Sequence, residues 1–118
     1  MYDRRPPRSR MTFETDDRAR VTLVSHPFGL RITGEIDRGN RHLLAGALTW
    51  ALLAGSHDIR LDLSGLTFID VAGMRLIVTA AARLSSDREV ILDPISPAVR
   101  RVLSLTGWDQ APGLRVCS

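Results

Sequence analysis

One segment, residues 61–74, constrains this chain more than any other, because an apolar run typical of a strand passes directly into a pattern typical of a helix. The strand-like run ends at Asp70. The helix-like pattern begins at Val71 and places apolar residues on one face, namely Met74, Ile77, Val78 and Ala81. Asp70 is therefore predicted to cap the helix. A strand end and the free N–H groups of a helix start thus meet at one point, where recognition or chemistry can be placed.

Composition limits the class of protein. The chain has 118 residues, the size of one domain, with 44% hydrophobic and 25% charged residues, which fits a globular protein. No apolar run approaches the roughly 20 residues of a membrane-spanning helix, so membrane insertion is not expected. The single cysteine, Cys117, has no partner for an intramolecular disulfide, which favours a cytoplasmic location.

Charge is concentrated at the N-terminus. The first ten residues hold four arginines and one aspartate, which accounts for the whole net charge of +3. Residues 1–18 are predicted to be a disordered basic N-terminal arm, and residues 19–118 a folded domain. The folded part is balanced in charge and adds no basic patch, so direct binding of nucleic acid is not expected.

Hydrophobic periodicity predicts an α/β domain with the order β-β-α-β-α-β-α-β. The strands are predicted at 20–25, 30–36, 57–63, 89–92 and 114–117, and the helices at 41–54, 71–84 and 97–106. Strands separated by helices imply parallel crossovers, whereas the first two form a hairpin. We expect a mixed sheet of four to five strands covered by helices, with the first two helices packed on one face.

Four sequence stretches resemble the STAS domain, the anti-sigma factor antagonist family. They are Gly-Glu-Ile-Asp at 34–37, the run from Leu61 to Asp70, Gly73, and the stretch from Ser96-Pro97 to Gly107-Trp108. They occur in the family's order and spacing and extend over residues 20–116. The family signature reads strand, Asp-Ser-Ser-Gly, helix, whereas this chain has Val71 and Ala72 at the two serine positions.

The resemblance implies a STAS-like fold and a non-catalytic protein-binding module. A typical member binds a kinase-type anti-sigma factor, which phosphorylates the first serine after the aspartate and thereby switches binding off. That position is Val71 here, a phosphoacceptor-equivalent residue that cannot be phosphorylated. The partner-binding surface is predicted at the loops that follow two strand ends, with the residues Asp37, Arg38, Asp70, Val71, Ala72, Gly73, Met74 and Arg75.

Two interpretations of Val71 stay open. It is either a neutral replacement in a surface loop or a contact that is permanently competent for binding. Ser64 and Thr67 are the nearest hydroxyls before Asp70, but a turn role and a strand-end role explain them better.

Other chemistries find little support in the sequence. The three histidines and Cys117 lack metal-ligand spacing, no phosphate-binding loop is present, and no nucleophile motif occurs, so no enzyme, metal or cofactor is expected. Three classes of function remain: a binder of a kinase-type anti-sigma factor or related regulatory protein, an accessory STAS subunit of another assembly such as a lipid-transport ATPase or a sensory complex, and a small-ligand module. The second would gain if the helix at 41–54 exposed a large interface around Trp50, and a homodimer is a further arrangement left open.

Overall fold

The computed structural model describes residues 10–15, 18–25, 27–55 and 57–117, with the backbone alone over 10–15. The strands are β1 (Arg10–Thr15), β2 (Ala19–Ser25), β3 (Phe28–Ile36), β4 (Ile59–Leu63), β5 (Leu66–Ile69), β6 (Val90–Ile95) and β7 (Leu114–Val116). The helices are α1 (Arg41–Ala54), α2 (Val71–Ala82) and α3 (Pro97–Thr106), and a short 3-10 helix spans Trp108–Gln110.

All seven strands join one mixed sheet in the order β1-β2-β3-β4-β6-β7, and β5 pairs with β3. The pairs β1–β2 and β2–β3 are antiparallel, whereas β3, β4, β6 and β7 run parallel. The long strand β3 pairs with β4 through residues 29–31 and with β5 through residues 34–36. Its C-terminal end therefore lies beside the end of β5, immediately before α2.

The hydrophobic core lies on one face of the sheet. Alternate residues of β3 and β4, such as Leu30 and Leu61, are buried there together with the apolar stripes of all three helices. Helices α1 and α2 also contact each other, as the predicted packing on one face requires. The opposite face carries ion pairs, since Arg31 Nε lies 3.1 Å from Asp62 Oδ2 and Arg60 pairs with Asp93. Helices thus cover the core face, and the other face of the central strands keeps accessible charges.

The predicted fold class is confirmed, but the number of strands is not. Strands β1 and β5 were missed, so the described chain has seven strands where four or five were expected. Strand β1 also corrects the prediction of a disordered arm at 10–15, because its backbone pairs with β2. Residues 1–9, 16 and 17 of the predicted arm lie outside the described residues.

The start of α1 carries an asparagine that does not cap the helix through its side chain. Asn40 stands at the cap position, but its side chain makes no capping hydrogen bond to the helix. It instead accepts from the Asp37 N–H at 2.9 Å and donates to the Glu35 carbonyl at 2.8 Å. The amide therefore fixes the turn between β3 and α1, which explains why Asn40 is fully buried.

Candidate functional site

The junction between β5 and α2 is built around Asp70. Its Oδ1 accepts a hydrogen bond of 2.7 Å from the Gly73 N–H, so the predicted N-cap is confirmed. The Asp70 N–H donates to the Ile36 carbonyl at 3.2 Å, which ties the junction to the end of β3. The helix therefore starts at a point fixed from both the sheet and its own first turn.

The second carboxylate oxygen of Asp70 faces α1. Arg41, the first residue of α1, places its Nε 3.6 Å from Asp70 Oδ2. That nitrogen is buried and has no hydrogen-bond partner among the described residues, so the contact is an ion pair without a hydrogen bond. The pair connects the N-terminal ends of α1 and α2.

The turn after β3 forms the other half of the site and is organised by Arg18. The Arg18 guanidinium donates to Asp37 Oδ2 and, at 3.0 Å, to Glu35 Oε1. Asp37 Oδ1 accepts from the Gly39 N–H at 2.9 Å. The Arg18 hydrogen bond, followed by that from Gly39, lowers the pKa of Asp37, and the two carboxylates raise the pKa of Arg18. Asp37 is therefore held as a carboxylate within an internal network.

Gly73 is required by the close approach of these two halves. A Cβ atom at this position would lie 2.9 Å from Ile69 Cγ1 and 3.2 Å from Ile36 Cγ2. Contacts this short would force the first turn of α2 away from the ends of β3 and β5. The glycine that carries part of the family resemblance thus has a packing reason in this fold.

The structure brings the predicted site residues into one region but gives them different roles. Val71 and Arg75 lie on the exposed side of α2, Ala72 is half-buried, and Arg38 is exposed in the turn after β3. Gly73 and Met74 are buried, so neither presents a side chain to a partner. The prediction that Met74 contacts a partner is therefore not supported, because its side chain is buried in the core.

Two residues of this region were missed by the sequence analysis. Phe68, near the end of β5, keeps 46% of its side chain exposed, which is close to the 47% of Val71. Trp108 lies next to α2, and the Arg75 Cζ is 5.8 Å from the centre of its ring. A phenylalanine in an apolar run suggests a core residue, so only the position of β5 in the sheet reveals that Phe68 faces outward.

The neighbouring hydroxyls have structural partners. Ser64 Oγ donates to Asp62 Oδ1 at 2.7 Å, and Thr67 Oγ1 donates to the Gly34 carbonyl at 3.0 Å. Both serve the β4–β5 turn and the pairing of β5 with β3. Neither lies at the start of α2.

Other kinds of site have less support among the described residues. A cleft of about 370 Å³ on the open sheet face contains Arg31, Arg60, Asp62 and Asp93, whose charges are already paired with each other. Among the described residues no group of three or more His, Cys, Asp or Glu side chains is placed to hold a metal ion. The described part of the chain also has no helix long and apolar enough to cross a membrane.

Comparison with known proteins identifies the class of fold. A family model described as "Mlab, STAS domain" matches residues 19–116. Since the match spans most of the chain, the protein belongs to the STAS domain family, as its sequence motifs indicated.

Two solved structures of similar fold are anti-sigma factor antagonists. One is from Mycobacterium paratuberculosis, with a TM-score of 0.63, 25% identity, and coverage of 93% of this chain and 88% of that chain. The other is SpoIIAA in its unphosphorylated form, with a TM-score of 0.58, 25% identity, and coverage of 75% and 77% respectively. The chain is therefore anti-sigma factor antagonist-like in fold.

Proposed function

We propose that this protein is a non-catalytic regulator of transcription in the bacterial cytoplasm that binds a kinase-type anti-sigma factor without a phosphoserine switch. The observation that carries the proposal is Val71. It occupies the first position of an exposed, well-capped helix start, and 47% of its surface is accessible. The helix start to which the resemblance assigns partner binding is thus exposed, while the residue at the phosphoacceptor position has no hydroxyl.

A phosphate at residue 71 would change the charge of this surface. Phosphorylation of a serine adds about −1.5 to −2 charges at neutral pH. Such a group at residue 71 would lie beside Asp70 on the recognition surface and would repel the carboxylates of a partner. A valine avoids this charge and offers apolar area for packing, so binding stays permanently competent.

A direct test uses the purified full chain and its cognate kinase-type anti-sigma factor. Isothermal titration is carried out before and after incubation of the mixture with ATP and Mg²⁺. The proposal expects the same dissociation constant in both titrations and no phosphate on the chain by mass spectrometry. Loss of binding after ATP treatment, accompanied by a phosphorylated residue, would contradict it.

A second candidate is an accessory STAS subunit of another assembly, such as a lipid-transport ATPase or a sensory complex. The observation in its favour is the outer surface of α1, where Leu53 is 82% exposed and Trp50 is 37% exposed against Phe28. Affinity purification of the tagged chain from its native cell separates the candidates. Recovery of a GHKL-type ATPase without transport subunits supports the first, and recovery of permease subunits supports the second.

A further inference from the structure

The strongest unassigned feature is an apolar pair that flanks Asp70. Phe68 and Val71 are each about half exposed, and both belong to the few large apolar side chains on the described surface. Three peptide units separate them, so their Cα atoms lie at most about 11 Å apart. Phe68 is also opposite Glu35 in the pairing of β5 with β3, which places it next to the turn that follows β3.

Some charged groups around this pair already have an ion-pair partner among the described residues, and others do not. The carboxylates of Glu35, Asp37 and Asp70 are each held by an arginine, either Arg18 or Arg41. Two further arginines, Arg38 and Arg75, are exposed and form no ion pair among the described residues. The carboxylates are therefore committed within the protein, whereas these two guanidinium groups remain available to a partner.

Arg75 is held in place as well as exposed. It is four residues after Val71 on α2, and side chains at this spacing are neighbours on one helix face. Its guanidinium lies 5.8 Å from the centre of the Trp108 ring, within the range of a cation–π contact. This contact restricts the arginine before binding, so less conformational entropy is lost when a partner carboxylate is engaged.

We propose that Phe68 and Val71 form the apolar centre, and Arg38 and Arg75 the basic rim, of a docking surface for an acidic face of the anti-sigma factor. The proposal rests on the proposed function and adds the chemistry of the partner, namely an apolar pocket bordered by carboxylates. An aromatic anchor surrounded by polar residues is the arrangement in which a few residues carry most of the binding energy. The assignment to an acidic protein face follows from charge complementarity with Arg38 and Arg75.

The test is isothermal titration of the cognate kinase-type anti-sigma factor with variants of the full chain. We expect Phe68→Ala to weaken binding by about tenfold or more, because truncation of an aromatic anchor costs over 1 kcal/mol. Arg38→Glu and Arg75→Glu should each weaken binding by a similar factor and reduce its dependence on salt. Trp108→Phe should bind more tightly than Trp108→Leu, since only the former keeps a ring under Arg75.

Matched controls separate a local effect from a general one. Leu53→Ala removes an exposed apolar side chain at the far end of α1, about 18 Å along the axis from Arg41. Arg83→Glu reverses an exposed arginine at the other end of α2. Both controls should bind within about twofold of the wild type, and thermal melts identify any variant that is unfolded.

The possible results distinguish this inference from the function on which it rests. If the wild type binds the anti-sigma factor and Phe68→Ala and both arginine reversals bind equally well, the docking surface is wrong and the function stands. If the wild type does not bind it, both fail. Binding to phosphatidylglycerol vesicles in place of the protein, lost in the same variants, would assign the surface to a membrane and overturn the proposal.

Discussion

Arg41 Nε lies 3.6 Å from Asp70 Oδ2, and this pair joins the first residue of α1 to the N-cap of α2. The other oxygen of Asp70 caps α2 through the Gly73 N–H at 2.7 Å. A single carboxylate thus holds two helix starts and the end of β5 in one arrangement. The candidate binding surface is built on this arrangement, so its geometry depends on Asp70.

Replacement of Asp70 by alanine should therefore destabilise the protein and disturb the site. Loss of an N-cap costs about 1 kcal/mol, and the ion pair with Arg41 is lost in addition. For a domain near 100 residues, 1 kcal/mol corresponds to a fall in Tm of about 4–8 °C. Differential scanning calorimetry measures the shift, and Asp109→Ala, at an exposed position with no ion pair among the described residues, serves as the control. A melt of Asp70→Ala that coincides with the wild type would show that the cap contributes nothing.

Gly73 and Gly46 both lie in helices, but only Gly73 is packed against side chains that a Cβ atom would meet. Gly73→Ala should lower the free energy of unfolding by about 1–3 kcal/mol, because its Cβ would meet Ile69 and Ile36. Gly46, on α1, is exposed, and a Cβ atom added there would meet no atom of another element within 4 Å, so Gly46→Ala should raise stability by about 0.5–1 kcal/mol. Urea unfolding of both variants provides the measurement. Equal effects of the two substitutions would contradict the packing role assigned to Gly73.

The Arg18–Asp37 contact predicts a dependence of stability on acid pH. The pKa of Asp37 is lowered from its ordinary value of 3.8, so the folded protein holds the carboxylate deprotonated more strongly than the unfolded chain does. The contribution of the Arg18–Asp37 contact to the free energy of unfolding is present above about pH 4 and is lost as the pH falls through the lowered pKa of Asp37. Wild-type stability should therefore decrease more steeply below pH 4 than that of Arg18→Ala. Parallel pH dependences in urea titrations followed by tryptophan fluorescence would show that the contact has no such effect.

Because residue 71 has no hydroxyl, we predict that a kinase-type anti-sigma factor does not phosphorylate this position. Wild-type protein incubated with ATP and a kinase-type anti-sigma factor should gain no phosphate at residues 70–73, whereas Val71→Ser should gain one because the capped helix start is intact. Ala72→Ser, which places the hydroxyl at a half-buried position, is the matched control. Mass spectrometry locates the phosphate. High occupancy on Thr67 or Ser64 of the wild type would show that the switch has moved elsewhere.

Much of the fold follows from local sequence patterns. The bounds of α1 and the cap at Asp70 were predicted correctly, because helix periodicity and capping chemistry depend on residues close in sequence. Strand β5 was missed as a separate strand, since its identity depends on pairing with β3 about thirty residues away. Strand β1 was missed because its segment, 10–15, holds only two apolar residues, Met11 and Phe13, and directly follows the arginine-rich N-terminus.

The features of the candidate site that could not be predicted also depend on contacts between residues distant in sequence. The loops around Asp37 and Asp70 were expected to be neighbours, since both follow strand ends, and the Asp70–Ile36 hydrogen bond places them together. The contributions of Arg18 and Arg41 could not be predicted, because their partners are distant in sequence. Asparagine is a residue type that favours N-caps, but the side-chain amide of Asn40 bonds the backbone groups of Glu35 and Asp37 instead.

The most direct test of the account is the affinity of Val71→Glu for the cognate anti-sigma factor, measured by isothermal titration beside a thermal melt. A carboxylate at residue 71 places a permanent charge where a phosphate would stand, and it suits the first turn of a helix, so folding should be nearly unchanged. We predict binding at least about tenfold weaker than that of the wild type, with Leu53→Glu, at the far end of α1, unchanged. Wild-type affinity of Val71→Glu, together with weakened binding of Leu53→Glu, would contradict the account and place the interface on α1 around Trp50.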